Sequence, residues 1–283
     1  MKSTEVYEKL EKDFVTLTMT DDWVAHMDKV QEFLTENFKQ RSMGLVCDFT
    51  EDIQKVYTAV FPSQKVMQKI LDDNVSDALL FVHHPSIWDI RRAPEIFHQM
   101  DKEQLQQFQN RNIAIFNFHV PLDNNGEFST TVNLAKALDI EVEKEFAPYF
   151  GAMCGVFGKT ADTNVNELKD RFEKILGHEV QLYAYGDEQI RNQRVSLVAG
   201  GGNDKEILEE VVAEGINVHI TGITALSDYS RKAHDYAKEH HLNILGGTHY
   251  STERFACEAM VRYFESMGLP AEFVEDAPVM EDM

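Results

Sequence analysis

The chain has 283 residues, of which 43% are hydrophobic, and its 27 basic and 48 acidic residues give a formal net charge of −21. This length allows a large core in one or two domains, whereas the acidity makes binding to nucleic-acid phosphates unfavourable. No apolar stretch approaches the roughly 20 residues of a membrane-spanning helix. The acidic N-terminus is also unlike a signal peptide, so we expect a cytoplasmic protein with no membrane partner.

The first half of the chain predicts a helical N-terminus followed by alternating strands and helices. Residues 1–40 are predicted as helix, because apolar residues recur at three-to-four spacing behind a cap at Thr20. The next predicted elements are strand 55–61, helix 63–71, strand 78–83, helix 94–110, strand 113–120 and helix 129–138. Short apolar strands that alternate with helices favour parallel strands joined by crossover helices.

The second half echoes this order after a less regular stretch over residues 141–190. Its predicted elements are strand 153–159, helix 166–176, strand 180–185, strand 194–199, helix 205–213, strand 217–221, helix 228–240, strand 243–245 and helix 251–267. The repeated order of elements and the lack of a low-complexity linker predict an α/β protein with two interlocked, three-layer α/β halves. We assign residues 1–125 and 246–283 to the first domain and residues 126–245 to the second.

Three short strings place metal-binding residue types at predicted strand ends. His83 and His84 precede Pro85, which ends a strand because it cannot donate to a ladder. His249 and Glu253 are four residues apart and share one helical face, so both can point at one ion. The string that runs from Asn117 through His119 to Asp123 closes another apolar run. Nitrogen and oxygen ligands of this kind suit zinc, iron or manganese.

Two other features favour structural interpretations. Gly200-Gly201-Gly202 could cradle a phosphate at a helix N-terminus, but it matches neither a P-loop nor a GxGxxG string, and a tight turn is favoured. Cys47, Cys154 and Cys257 are odd in number and widely spaced, which predicts small buried residues rather than disulfides.

The three strings VHHP, HVPLDNNGEFSTTVNLAKALDI and GGTHYSTERFACEAMVRYF, in that order, resemble the NIF-three-like proteins, also called GTP cyclohydrolase I type 2 homologues. The likeness covers residues 44–273. It implies two divalent metal ions in a cleft between the two halves, and subunits assembled into a homohexameric ring. The metal ligands that it implies are His83, His84, Asp123, His249 and Glu253. It also implies that Glu253 bridges or nearly bridges the ions, and that His119 lies beside them without being a ligand, where it either supports a ligand or transfers a proton.

The chain departs from the family pattern next to this site. Where relatives commonly carry Asp-Asn before Gly-Leu, this chain has Arg41-Ser42-Met43 before Gly44-Leu45, and Ile223 stands where many relatives carry an acidic residue. The first 40 residues also extend or replace the usual first helix. The substrate of relatives therefore carries over poorly to this chain.

Two functions follow as hypotheses. The first is a metal-dependent, cyclohydrolase-like hydrolase, in which a metal-activated water attacks a cyclic C–N or phosphoester bond of a small anionic substrate and His119 and Glu253 act as catalytic residues. The alternative is a non-catalytic protein that binds or delivers metal, or that regulates a partner. Release of the ions to a chelator, or their retention, distinguishes the two.

Overall fold

Helices and strands alternate along most of the computed structural model, which describes residues 1–228 and 230–283 and confirms the predicted α/β class. The α-helices are α1 (Ser3–Phe14), α2 (Glu36–Arg41), α3 (Gln64–Asp72), α4 (Lys102–Asn110), α5 (Val120–Asp123), α6 (Thr130–Ala137), α7 (Val165–Leu176), α8 (Lys205–Ala213), α9 (Arg231–Glu239) and α10 (His249–Ser266). The strands are β1 (Gly44–Cys47), β2 (Lys55–Ala59), β3 (Ala78–Val82), β4 (Ile87–Trp88), β5 (Phe97–His98), β6 (Ile113–Asn117), β7 (Glu141–Tyr149), β8 (Ala152–Lys159), β9 (Gln181–Tyr183), β10 (Arg194–Val198), β11 (Val218–Thr221), β12 (Asn243–Gly246) and β13 (Ala271–Phe273).

The chain divides into two compact units, each made of several segments. The first contains residues 1–122, 150–152 and 257–277, and the second contains residues 123–149, 153–256 and 278–283. Helix α10 begins in the second unit and continues into the first, since the division falls between Ala256 and Cys257. Each unit is described by itself below.

The sheet of the first unit has the strand order β1-β6-β3-β2-β13. Strands β13, β2, β3 and β6 are parallel, and β1 pairs with β6 in the antiparallel sense. Every residue of β3 and β6 is buried, as expected for parallel strands covered on both faces. The register pairs Ala59 with Val82 and Val82 with Asn117, so the carboxyl ends of β2, β3 and β6 are level. Residues that follow these strands therefore emerge at one edge.

The sheet of the second unit has the strand order β7-β8-β10-β11-β12-β9. Its centre, β10-β11-β12, is parallel, and the register pairs Val198 with Thr221 and Thr221 with Gly246. The carboxyl ends of these strands are thus also level. They lead into the Gly200 turn, the Gly222 loop and the start of α10.

Two predicted helices were wrong in part and strand β7 was not predicted, each for a physical reason. The predicted helix over residues 1–40 is interrupted, because Trp23–His26 and Asp28–Phe33 form 3₁₀ turns. Met27, between the two turns, and Val30, in the second, are both buried at three-residue spacing, which a 3₁₀ turn satisfies as well as an α-helix. The predicted helix 94–110 begins only at Lys102, capped by the Asp101 side chain. Strand β7 was missed because its first five residues are all exposed and show no alternation.

The other predicted elements are confirmed to within a few residues at their ends. Helix α8 begins and ends as predicted, and Ser63 caps α3, since its side chain accepts a hydrogen bond from the Val66 N–H. The predicted helix 228–240 corresponds to α9, although Tyr229 lies outside the described residues. Among the described residues, none of the helices combines the length and apolarity needed to cross a bilayer.

Candidate metal centre

Three buried histidines converge at the carboxyl edge of the first unit's sheet. His83 and His84 follow β3, and His119 lies two residues after β6. Their exposed fractions are 0%, 2% and 7%, and one ring nitrogen of each lies within 4.8 Å of those of the other two. Imidazole nitrogens at such separations can share one ion or hold neighbouring ions. We call this set the histidine triad.

Backbone hydrogen bonds hold the first two members of the histidine triad beyond the end of their strand. The His83 N–H donates to the Ala59 carbonyl oxygen at 3.1 Å, and the His84 N–H donates to the Val60 carbonyl oxygen at 2.9 Å. The Asn117 side-chain amide also donates to the His83 carbonyl oxygen. These bonds therefore hold in place the backbone that carries the two adjacent imidazoles, whose ring centres are 4.2 Å apart.

The hydrogen bonds of two rings in the triad define their tautomers. His83 Nδ1 lies 3.0 Å from the Phe118 carbonyl oxygen, which can only accept, so Nδ1 carries the proton and Nε2 keeps its lone pair. His119 Nδ1 lies 3.1 Å from Asp21 Oδ2 in the same arrangement. Histidines that bind metals commonly donate their second ring N–H to a carbonyl or carboxylate in this way.

The second unit contributes a buried histidine and carboxylate on the first two turns of α10. His249 Nε2 and Glu253 Oε1 are 3.1 Å apart, and the residues are 6% and 3% exposed. Two donor atoms that are each about 2.1 Å from one ion lie roughly 3.0–3.5 Å apart in octahedral or tetrahedral geometry. The 3.1 Å distance between the two atoms therefore suits either a hydrogen bond or ligation of one ion by both residues. The separation of four residues in the sequence predicts this proximity.

Asp123 ends the short helix α5 and is 7% exposed. Its Oδ1 accepts a hydrogen bond of 2.9 Å from the Thr130 hydroxyl, in the first turn of α6. This bond orients the carboxylate relative to the helix that follows it. Burial of a carboxylate is costly unless donors or cations offset the charge, so such a group favours a bound cation.

The glycine turn after β10 lies against the α10 pair, which sequence patterns did not indicate. Gly200 has φ +71°, and a Cβ there would lie 2.1 Å from Glu253 Oε1 and 3.3 Å from His249 Cδ2. The Gly200 N–H donates to Thr252 Oγ1 at 3.0 Å. Only glycine therefore combines this backbone conformation with the space that Glu253 occupies.

Two carboxylates that sequence reasoning missed hold the site residues in place. Asp21, from the segment before the first 3₁₀ turn, contacts His119. Asp282, near the C-terminus, accepts a hydrogen bond of 3.0 Å from the His249 backbone N–H, one of the donors at the start of α10 that the helix itself cannot satisfy. Both contacts join residues distant in sequence, and no local motif marks them.

Other buried titratable residues have structural roles. His219 is fully buried between the Ser196 hydroxyl and the Gly202 carbonyl oxygen, and burial lowers its pKa to about 4. Cys47, Cys154 and Cys257 form no disulfide and are buried, as predicted, and burial raises the pKa of Cys154 to about 12. Neither the neutral histidine nor the thiols are suited to proton transfer or nucleophilic attack near pH 7.

Buried groups of histidine, aspartate and glutamate in the described part of the chain could hold a metal ion. Each group offers three ligand atoms within 4.8 Å of one another. In the first unit the group is the histidine triad, His83, His84 and His119. Imidazole nitrogen and carboxylate oxygen fit a first-row divalent cation, so the residues present suit the group that the sequence predicts.

The chain is similar to known proteins over most of its length. A family model described as Duf34/NIF3 (NGG1p interacting factor 3) matches residues 20–277. A "GTP cyclohydrolase 1 type 2 homolog" of Yersinia pestis is 28% identical over 236 residues, 82% of this chain and 88% of that protein. A protein of the same name from Archaeoglobus fulgidus is 26% identical over 250 residues, 87% of this chain and 94% of that protein.

Solved structures share the fold. One described as "Structural genomics, protein ybgI, unknown function" has a TM-score of 0.76 and 23% identity, and the match covers 98% of this chain and 100% of that one. Reduced HcgD from Methanocaldococcus jannaschii has a TM-score of 0.66 and 20% identity, with 98% of each chain covered.

Proposed function

We propose a hydrolytic function for this chain, which belongs to the Duf34/NIF3 family: a dinuclear divalent-metal site that cleaves a small anionic substrate. The observation that carries the proposal is the set of buried histidine, aspartate and glutamate groups whose ligand atoms lie within 4.8 Å of one another. Buried polar side chains of this kind are costly to the fold, and they are typical of functional sites.

The residues that would hold two ions of zinc, iron or manganese are His83, His84, Asp123, His249 and Glu253. The hydrogen bond from His83 Nδ1 to the Phe118 carbonyl oxygen supports this role, because it puts the proton on Nδ1 and the lone pair on Nε2, the atom that would bind the metal. The 3.1 Å spacing of His249 and Glu253 supports joint ligation. Two dications against two carboxylates would leave a local positive surplus, so an anionic substrate is attracted despite the net charge of −21.

Divalent cations in such a site make water more acidic and polarise the bond under attack. The chain's own residues would then position and protect the reaction. His119, with Nδ1 bonded to Asp21, can accept a proton at Nε2 and return it to the leaving group. Phe61 and Trp23 contact the ring of His84, and such apolar walls exclude bulk water from the triad.

The proposed substrate class is supported by the names of the relatives and by the positive charge that two cations would bring to the site. The relatives are named GTP cyclohydrolase 1 type 2 homologues, which favours hydrolysis of a cyclic C–N bond, and attraction of an anionic substrate is also compatible with a phosphoester. The protein is proposed to act as a homo-oligomer, such as a hexamer, and light scattering tests this directly.

A non-catalytic role is the second candidate, favoured by one observation. The matching family is described as NGG1p interacting factor 3, a description of interaction rather than catalysis. A metal-delivery or regulatory protein releases its ions readily to a chelator. A hydrolase retains them, and Glu253→Gln lowers its turnover.

Elemental analysis of protein purified without a metal-affinity tag tests the site. We expect about two ions per chain, with occupancy lowered in Asp123→Ala and in His249→Ala. The exposed His240 lies outside the candidate groups, so His240→Ala is the matched control and should keep full occupancy. Absence of bound metal in the unmodified protein contradicts the site. Absence of turnover across a panel of cyclic C–N and phosphoester substrates contradicts the hydrolase.

A further inference from the structure

We infer that Asp21 is a positioning residue of the metal centre, which fixes the His119 ring with its proton on Nδ1 and its lone pair on Nε2. The catalytic meaning of this contact rests on the proposed function, in which His119 Nε2 exchanges a proton with the reacting groups. The contact itself is a property of the chain and can be measured without a substrate.

Both oxygens of the Asp21 carboxylate have assigned donors. Oδ1 accepts a hydrogen bond of 2.9 Å from the backbone N–H of Asp22, and Oδ2 lies 3.1 Å from His119 Nδ1. The Asp21 side chain is 1% exposed. A buried carboxylate accepts only, so His119 must present an N–H at Nδ1. The first contact also prevents the carboxylate from rotating about its own axis.

The segment that carries Asp21 is anchored firmly enough to define this geometry. Trp23 is 5% exposed and packs in the core of the first unit with Met27 and Val30. Its ring meets that of His119 at 86° with centres 5.1 Å apart, and that of His84 at 75° with centres 5.3 Å apart. The Val24 N–H donates to the Ser42 hydroxyl at 3.0 Å. Residues 21–24 therefore form one wall of the histidine triad rather than a loose extension.

This arrangement makes Asp21→Asn an unusually direct test. The Asp22 N–H requires an acceptor at the position of Oδ1, so the amide oxygen of the introduced side chain should take that place. The amide NH₂ group then faces His119 Nδ1, which must accept, and the ring proton moves to Nε2. The substitution thus reverses the tautomer while it preserves the shape of the side chain.

The experiment uses the full chain loaded with zinc and labelled with ¹⁵N at histidine. Long-range ¹H–¹⁵N correlation spectra distinguish the two tautomers, and loss of one signal in His119→Gln assigns the residue among the 11 histidines. We expect the Nδ1–H form in the unmodified protein and the Nε2–H form in Asp21→Asn. Asp22→Asn removes the same charge one position along, from an exposed residue whose side chain makes no cap hydrogen bond, and should leave the signal unchanged.

Turnover and metal content complete the test. With a substrate from the panel above, Asp21→Asn should lose about 10²- to 10⁴-fold in turnover, the usual contribution of general acid–base catalysis, because the reversed tautomer places the proton on the nitrogen that must accept one. Metal content should stay at the unmodified level, because His119 is outside the proposed ligand set.

The outcomes separate this inference from the proposed function. An Nε2–H tautomer in the unmodified protein overturns the inference, even if Asp21→Asn does not fold. An unchanged tautomer in a folded Asp21→Asn also overturns it, whatever happens to turnover. If no substrate is hydrolysed but the tautomer reverses as expected, the positioning role is supported and the hydrolase is contradicted.

Discussion

Replacement of Gly200 by alanine should weaken metal binding without unfolding the protein. Gly200 has φ +71°, a left-handed conformation that costs a residue with a Cβ about 1–2 kcal/mol. The added Cβ would lie 2.1 Å from Glu253 Oε1, whereas ordinary contacts begin at 3.4 Å. The carboxylate is the far end of a flexible side chain, so it should move by roughly 1 Å or more and relieve the overlap. Metal–ligand bonds tolerate only about 0.2 Å, so we expect metal affinity to fall at least about tenfold.

Gly215→Ala is the matched control. Gly215 has φ +76°, and nothing lies within 4 Å of an added Cβ, so it carries the backbone cost without the collision. Urea unfolding of the metal-free proteins should show similar destabilisation in both variants. Competition with a chelator should show weaker metal binding in Gly200→Ala alone. Equal metal affinity in the two variants would refute the reasoning that links the turn to Glu253.

Three further predictions concern the contacts that support the site and the core. Thr130→Val removes the donor to Asp123 Oδ1 and should lower metal affinity about 10- to 100-fold. Thr58→Val, which loses a buried hydroxyl that donates to the Cys257 carbonyl oxygen, should not lower it, and equal effects of the two variants in a chelator titration contradict this. Asp282→Ala removes the acceptor of the His249 N–H and should cost about 1 kcal/mol in urea unfolding, and Asp282→Asn, which keeps an acceptor, should recover most of it. Burial lowers the pKa of His219 to about 4, while histidine in the unfolded chain titrates near about 6.5. The unfolded state therefore binds the proton first, and stability falls as pH drops from about 6.5 towards 4, by up to about 3 kcal/mol. His219→Gln should lose this part of the pH dependence. If the urea midpoints of the unmodified protein and of His219→Gln fall by the same amount between pH 7 and pH 5, His219 has no such effect.

Local patterns predicted most elements of the fold, and their failures have identifiable causes. Helix α8 and the buried strand β3 were predicted well, because periodicity and capping act within a few residues. The segment 23–33 was misassigned because three-residue spacing fits a 3₁₀ turn as well as an α-helix. Strand β7 carries charged residues on both faces, and its conformation depends on its neighbour β8, which no local window contains.

The candidate ligands were found from the sequence, whereas their supporting residues were not. His249 and Glu253 are separated by one helical turn, so their proximity follows from helix geometry alone. His83 and His119 come together only because the register makes the ends of β3 and β6 level. The sequence analysis placed His83 and His119 near one site only because the three strings VHHP, HVPLDNNGEFSTTVNLAKALDI and GGTHYSTERFACEAMVRYF occur in the order that is typical of a known family.

By itself, the sequence determined the α/β class, the family and the types of residue available to bind metal, since these follow from local periodicity and the order of motifs. The tertiary structure alone decided which distant groups support them. Asp21 meets His119 across 98 positions, and Asp282 meets the His249 N–H across 33. Gly200 is required because of where Glu253 lies. Such contacts depend on strand register and on the packing of separate segments, and neither leaves a periodic signal in the residues that make them.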